Sequence, residues 1–291
     1  MNRGKRFVVQ GYEGRAILGD VRKPASQKAV PLIIFAHGFK GFKDWGHFNL
    51  MADYFAAQGF AFLKFNFSHN GGTLQQPIDF PDLEAFSENT FWKELQDIKA
   101  LLDALEGKNR VQEGAADFMD FSAGVDHQQI YLIGHSRGGG IAILSAARDA
   151  RISKVVNWAG VGDFKRYIPS GEQLSRWQER GVVYVENKRT LQQMPMKFTF
   201  VESLIQHSKD LDILQAVKQL QQPLMLIHGD ADQVVELSDA KELKRINSAI
   251  VLQVIKDGDH VFGAKHPWVE VFLPGDTKHV IDLSIQFLKG D

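Results

Sequence analysis

The chain contains no cysteine. That excludes disulfides, a thiolate nucleophile and thiolate metal ligation, and it fits a cytoplasmic location. Nor is there an excess of charge of either sign: 34 Lys and Arg against 35 Asp and Glu leave a net −1. No electrostatic footprint for nucleic acid or an anionic membrane follows from such a balance. Long apolar stretches are missing too. The longest run, Ala29 to Ala36, falls far short of the ~20 residues that a spanning helix needs. The opening, Met1 to Phe7, is basic, but no apolar h-region follows it, which argues against a secretory signal. Internal repeats and low-complexity tracts are absent. What remains is an ordinary globular composition, 44% hydrophobic and 24% charged over 291 residues. That length buries one large core, or a core with a small insertion.

The pattern along the chain alternates strand and helix. Phe7-Val8-Val9 and Arg15-Ala16-Ile17-Leu18 read as an antiparallel pair. Pro31 to Ala36 is apolar on both faces, as suits a central parallel strand. Phe60 to Phe67 reads as a second strand, after an amphipathic helix over Asn49 to Gln58. Phe91, Leu95, Ile98, Leu101, Leu102 and Leu105 recur with helical period. Strands follow at Gln129 to Ile133, Lys154 to Trp158, Pro223 to Ile227 and Ile250 to Ile255, and a last helix at Thr277 to Leu288. Such alternation predicts a mostly parallel sheet with helices on both faces. Between Trp158 and Pro223 lie more than sixty residues, too many for one crossover. Residues 160–222 are therefore expected to form a small cap inserted over the carboxyl edge of the sheet.

One motif carries chemistry. Gly134-His135-Ser136-Arg137-Gly138 follows an apolar strand and opens onto Gly139 to Leu144, a helix start rich in small residues. Strand, G-x-S-x-G, helix is the context of a nucleophile elbow, a sharp turn that lifts one serine hydroxyl above the sheet edge. Bulky side chains at the flanking glycines would collide with the neighbouring strand and helix.

A serine hydroxyl is a poor nucleophile at neutral pH, so Ser136 needs a histidine base, and that histidine a carboxylate. His260 follows the last strand, where a loop can carry it over the elbow. His228 ends a strand and is followed by Gly229, which favours a structural role. His266, His279, His207 and His127 read as surface or helix residues. For the acid, Asp232 is favoured, with Asp230 as a turn residue and Asp257 and Asp259 shaping the loop before His260. An oxyanion hole needs backbone N–H groups. The amide of Arg137, at the helix start, is one candidate. Phe39, in His37-Gly38-Phe39-Lys40-Gly41-Phe42, is the other, with Gly38 letting the backbone approach. The order Ser136, Asp232, His260, each after its own strand, is that of the α/β-hydrolase fold.

On these residues the chain resembles α/β-hydrolases of the esterase and serine-aminopeptidase-like group, and small cinnamoyl or feruloyl esterases in particular. The resemblance runs from His37-Gly38-Phe39 through the elbow and His228-Gly229-Asp230-Ala231-Asp232 to Gly258-Asp259-His260. The spacing of Asp232 from His228 matches the family's acid position. One loop departs: Phe67-Ser68-His69-Asn70-Gly71-Gly72 stands where relatives often carry Gly-His-Gly. The resemblance implies a hydrolase that needs no metal or cofactor and cleaves a small-molecule ester or thioester through an acyl-enzyme. Substrate contacts are expected from His69 and Asn70, and from Trp177 and Tyr184 in the insertion. An aminopeptidase or acylpeptide-type hydrolase stays open, with Glu172, Glu179 or Glu186 available to hold a terminal ammonium. So does a binding protein that has lost turnover. A serine at the elbow argues against the aspartate nucleophile of dehalogenases and epoxide hydrolases. Oligomeric state is not legible in the sequence.

Overall fold

The computed structural model describes residues 5–109 and 122–290; the basic opening Met1 to Gly4 lies outside them. In chain order the elements are β1 (Lys5–Gln10), β2 (Ala16–Arg22), β3 (Val30–Ala36), α1 (Phe48–Ala57), β4 (Ala61–Phe65), α2 (Leu83–Ser87) and α3 (Phe91–Leu105). They continue with β5 (Val125–His135), α4 (Arg137–Ala146), β6 (Ile152–Trp158), α5 (Gly171–Arg180), β7 (Val182–Asn187) and β8 (Gln192–Lys197). The chain closes with α6 (Thr199–Gln206), α7 (Ile213–Gln219), β9 (Leu224–Gly229), α8 (Leu237–Ile246), β10 (Val251–Ile255) and α9 (Gly275–Lys289).

Among the described residues, eight strands form one sheet in the order β1-β2-β4-β3-β5-β6-β9-β10. β2 alone runs antiparallel to both of its neighbours, and from β4 to β10 every pairing is parallel. The alternation of side chains along β3 shows why both faces are covered. Leu32, Ile34 and Ala36 pack with Leu95 and Ile98 of α3 and Ile141 of α4. Ile33 and Phe35 point the other way, to Met51 and Phe55 of α1 and Val280 and Ile281 of α9. Since both sets are buried, the strand has no polar face to alternate with, which is why its sequence is apolar throughout.

The helix caps follow the sequence. Thr90 accepts a hydrogen bond from the Lys93 amide at the start of α3, and Asp82 does the same for Ala85 at α2. Residues 160–222 contain α5, the β7–β8 hairpin, α6 and α7. The hairpin is a separate two-stranded sheet, which the sequence pattern did not single out. Its buried Met194 joins Phe42, Phe80 and Phe86 in a small apolar cluster, so this hairpin packs on α2 and on the loop after β3. Among the described residues no helix is long and apolar enough to cross a membrane.

Candidate active site

β5 ends at His135, and α4 begins one residue after Ser136. The turn between them is tight enough to hold Ser136 at φ 56°, ψ −121°, a region that costs a non-glycine residue about 1–3 kcal/mol. Neighbours enforce it. The Ser136 amide donates to Trp158 O (2.9 Å), and Ser136 O accepts from the amides of Gly139 (3.0 Å) and Val161 (3.1 Å). A methyl group on Gly138 would lie 2.3 Å from Ala36 O, so only glycine lets α4 approach β3 this closely.

The loops after β9 and β10 bring the other two groups in. Ser136 Oγ lies 2.9 Å from His260 Nε2, and His260 Nδ1 lies 2.8 Å from Asp232 Oδ2. A carboxylate accepts only, so Nδ1 carries the proton and Nε2 presents its lone pair to the serine hydroxyl. Asp232 is buried, and its Oδ1 accepts from the amides of Val234 (2.8 Å) and Val235 (3.0 Å). Burial alone would raise its pKa. Hydrogen bonds from His228, His260 and the two amides outweigh that and hold the carboxyl well below the usual carboxylate range.

Asp230 and Asp259 shape these loops. Asp230 Oδ1 accepts from the Asp257 amide (2.6 Å), tying the loop after β9 to the loop after β10. Asp259 Oδ1 accepts from the amides of Val261 (3.1 Å) and Gly263 (2.8 Å).

Phe39 lines the same cavity as Ser136, and Arg137 follows the serine as the first residue of α4. Neither amide donates to a protein acceptor among the described residues. Gly38 makes the close approach: a methyl group there would stand 3.0 Å from Ser136 Cβ and 3.5 Å from its Oγ.

Ser136 and His260 share a cavity of about 140 Å³ with Gly38, Phe39, His135 and the aromatic side chains of Trp45, Phe48 and Trp158. The four side chains expected to contact substrate do not line it. His69 is buried beside the loop after β4, with Nδ1 2.8 Å from Ser68 Oγ. Asn70 holds its own turn, its Oδ1 accepting from the Gly72 amide (2.9 Å) and its amide group reaching Gly41 O (3.3 Å). Trp177 spends its indole N–H on Met196 O and packs over Phe200. Tyr184 is 61% exposed. These residues serve local packing and turn formation, which sequence position alone does not distinguish from a place in a pocket wall. Glu172, Glu179 and Glu186 are likewise exposed and absent from the cavity wall. His266 also differs from its expected surface or helical place. It lies half-buried in a loop, where Nδ1 accepts from the Gly46 amide (2.7 Å) and the ring faces Trp45.

Two supporting residues, His135 and Glu94, escaped the sequence reading, and His228 takes the structural role expected of it. His135 donates through Nε2 to the carbonyl of His260 (2.8 Å). His228 Nε2 donates to Val235 O (2.8 Å) and stands 3.3 Å from Asp232 Oδ2; its four-residue spacing from Asp232 was the available signal. Glu94 of α3 pairs with Arg137 through Nε (2.8 Å) and Nη2 (2.6 Å), with both side chains buried. Nothing local in the sequence joins those two.

The comparisons agree with this architecture. Est1E from Butyrivibrio proteoclasticus has the same fold, with a TM-score of 0.65 at 17% identity, covering 99% of this chain and 97% of that one. The esterase domain of a Rhodothermus marinus protein superposes with a TM-score of 0.63 at 16% identity, covering 100% and 99%. In sequence, the chain is 25% identical over 135 residues to the quorum-quenching protein AidA of Acinetobacter baumannii (strain MDR-ZJ06), a match that spans 46% of this chain and 37% of that relative's length. The model of the alpha/beta hydrolase family matches residues 33–272, and the chain belongs to that family.

Proposed function

We propose that the protein is a serine hydrolase that cleaves a carboxylic ester or thioester through an acyl-enzyme. Ser136 is the nucleophile, His260 the general base and acid, and Asp232 the residue that fixes the tautomer of His260. The amides of Phe39 and Arg137 form the oxyanion hole. The observation that carries this reading is the unbroken chain Ser136 Oγ–His260–Asp232, with links of 2.9 and 2.8 Å.

As Ser136 Oγ attacks the carbonyl carbon, His260 Nε2 takes the hydroxyl proton. Asp232, ionised at neutral pH, stabilises the imidazolium that results. Two amides without protein acceptors meet the charge that develops on the carbonyl oxygen. Each such donor is worth roughly 10²–10³ in turnover. Collapse expels the alcohol or thiol, protonated by His260, and water then repeats the cycle on the acyl-enzyme. An ester is favoured over an aminoacyl substrate because, among the described residues, the cavity wall holds no carboxylate that would pair with a terminal ammonium.

Purified protein assayed against p-nitrophenyl esters of graded chain length and against aminoacyl p-nitroanilides tests the proposal. Ester cleavage, with the anilides inert, is expected. Anilide cleavage without ester preference would move the assignment to a peptidase.

A further inference from the structure

The cavity at Ser136 is built from one side of the molecule. Its apolar wall comes from the end of β3 (Phe35), the loop after it (Trp45), the start of α1 (Phe48), the end of β6 (Trp158) and the start of α9 (Val280), closed by Phe262. None of its lining residues belongs to 160–222. That segment meets the site through the Val161 amide on Ser136 O and through Glu186 O on the Lys40 ammonium, while its apolar side chains pack elsewhere, with Trp177 and Phe200 on the α3 side of the sheet and Met194 against Phe42, Phe80 and Phe86.

Charge is excluded from the interior. Among the described residues no Asp, Glu or Arg lines the cavity, and its lysine, Lys40, directs its ammonium outward to Glu186 O (3.1 Å). Three imidazoles besides His260 contribute to the wall: His37, His47 and His135. Burial pushes His37 and His47 down to about 4 and His135 down to about 3, so all three are neutral at physiological pH. A carboxylate or ammonium entering here would lose its hydration without gaining a counter-ion. Size gives a second limit. The volume is about 140 Å³, and a dry apolar cavity of roughly 150 Å³ holds one benzene molecule.

Building on the reading of Ser136 as nucleophile, we infer that this cavity is the specificity subsite and takes a compact, uncharged, apolar arm of the ester, one phenyl ring or a short branched alkyl group in size. The same chemistry is offered by an acyl substituent or by the alcohol portion.

The test uses the full chain carrying Ser136→Ala, so that binding is read apart from turnover, with benzyl alcohol, benzoate and benzylamine as isosteric probes followed by calorimetry. Benzyl alcohol is expected to bind at least ten-fold more tightly than either charged probe. Val280→Phe, which fills the cavity, should remove that binding, whereas Leu191→Ser, on the exposed turn of the 160–222 hairpin, should leave it unchanged. Phe48→Ala, which enlarges the cavity, should move the preference from benzyl alcohol to naphthalenemethanol, and this holds even where Val280→Phe fails to fold. On the enzyme with Ser136 intact, benzyl acetate and ethyl phenylacetate compared with ethyl acetate report which arm is held, through the one whose kcat/KM rises. Equal affinity for the three probes, or probe binding indifferent to both Val280→Phe and Phe48→Ala, would overturn the inference. Failure of the Ser136 reading shows separately, as ester turnover retained by Ser136→Ala.

Discussion

The Arg137 guanidinium carbon lies 5.2 Å from the centre of the Phe39 ring. The two residues proposed to supply the oxyanion-hole amides are thus joined by their side chains as well. On its other side Arg137 meets the Phe91 ring at 4.8 Å, and Glu94 holds it in place. An arginine fixed by an ion pair and two aromatic faces gives the loop after β3 a defined position relative to the elbow.

That relationship predicts coupling. Glu94→Gln keeps the shape of the side chain but leaves the buried Arg137 charge without its partner, a change of the kind that costs about 3–5 kcal/mol. The melting temperature should fall clearly. Phe39→Ala keeps its own amide, yet should lower kcat by about ten-fold, because the ring that seats the loop is gone. In a double-mutant cycle, Phe39→Ala and Arg137→Met should show a coupling of about 0.5–2 kcal/mol in kcat/KM. Strict additivity would mean that the contact positions nothing.

His135 offers a second prediction. Its Nε2–H holds the carbonyl of the very residue proposed as the base. Loss of one such hydrogen bond is worth about 1 kcal/mol, so His135→Phe should reduce kcat by roughly five- to ten-fold with KM little changed. His135→Gln, whose amide can still donate, should recover part of the loss. Equal kcat in both variants and in the wild type would remove His135 from the account.

Acid stability gives a third. Lys64, fully buried on β4, lies 2.9 Å from Asp20 and 2.6 Å from Asp44, and Lys43 lies 2.7 and 2.6 Å from the same two carboxylates. This balanced group pins the loop after β3 to the sheet. Burial works against ionisation of Asp44, but the two ammonium groups win and bring its pKa down to about 2. A carboxylate depressed on folding stabilises the protein fully above its unfolded value near 4, and the contribution disappears as pH falls toward 2. Wild type and Asp44→Asn should therefore differ in unfolding free energy at pH 6 and converge between pH 4 and pH 2. A difference that stays constant down to pH 2 would contradict the charge argument.

The turn at the elbow supplies a fourth. Gly138→Ala places a methyl group 2.3 Å from Ala36 O, a backbone atom of a central strand that cannot move aside. Overpacking of that severity costs about 1–3 kcal/mol or more, and the variant should lose both stability and activity. Normal melting behaviour would show that α4 shifts more easily than its packing suggests.

Much of this was legible in the sequence, for reasons that particular residues make plain. β3 declared itself because a strand covered on both faces must be apolar throughout, and α3 because Leu95, Ile98, Leu102 and Leu105 keep helical period. Ser136, Asp232 and His260 could be picked out because each follows a strand of the parallel sheet, and that topology delivers strand ends to one edge. The Arg137–Glu94 pair could not, since it joins α4 to α3 across 43 positions with no local signal. Trp177 misled for a related reason: an aromatic side chain looks the same in sequence whether it lines a pocket or, as here, stacks on Phe200. Lys43 and Lys64 carry no local sign of burial, because the carboxylates that offset them, Asp20 and Asp44, come from β2 and the loop after β3.

The measurement that bears most directly on the central claim is turnover of a p-nitrophenyl ester by wild type and Ser136→Ala, with matched circular dichroism and melting curves. Because nucleophile and base act as a unit, the account predicts a fall in kcat of about 10⁴ to 10⁶ with the fold intact. Near-wild-type turnover in a folded Ser136→Ala protein would show that the hydroxyl held by His260 is not the nucleophile.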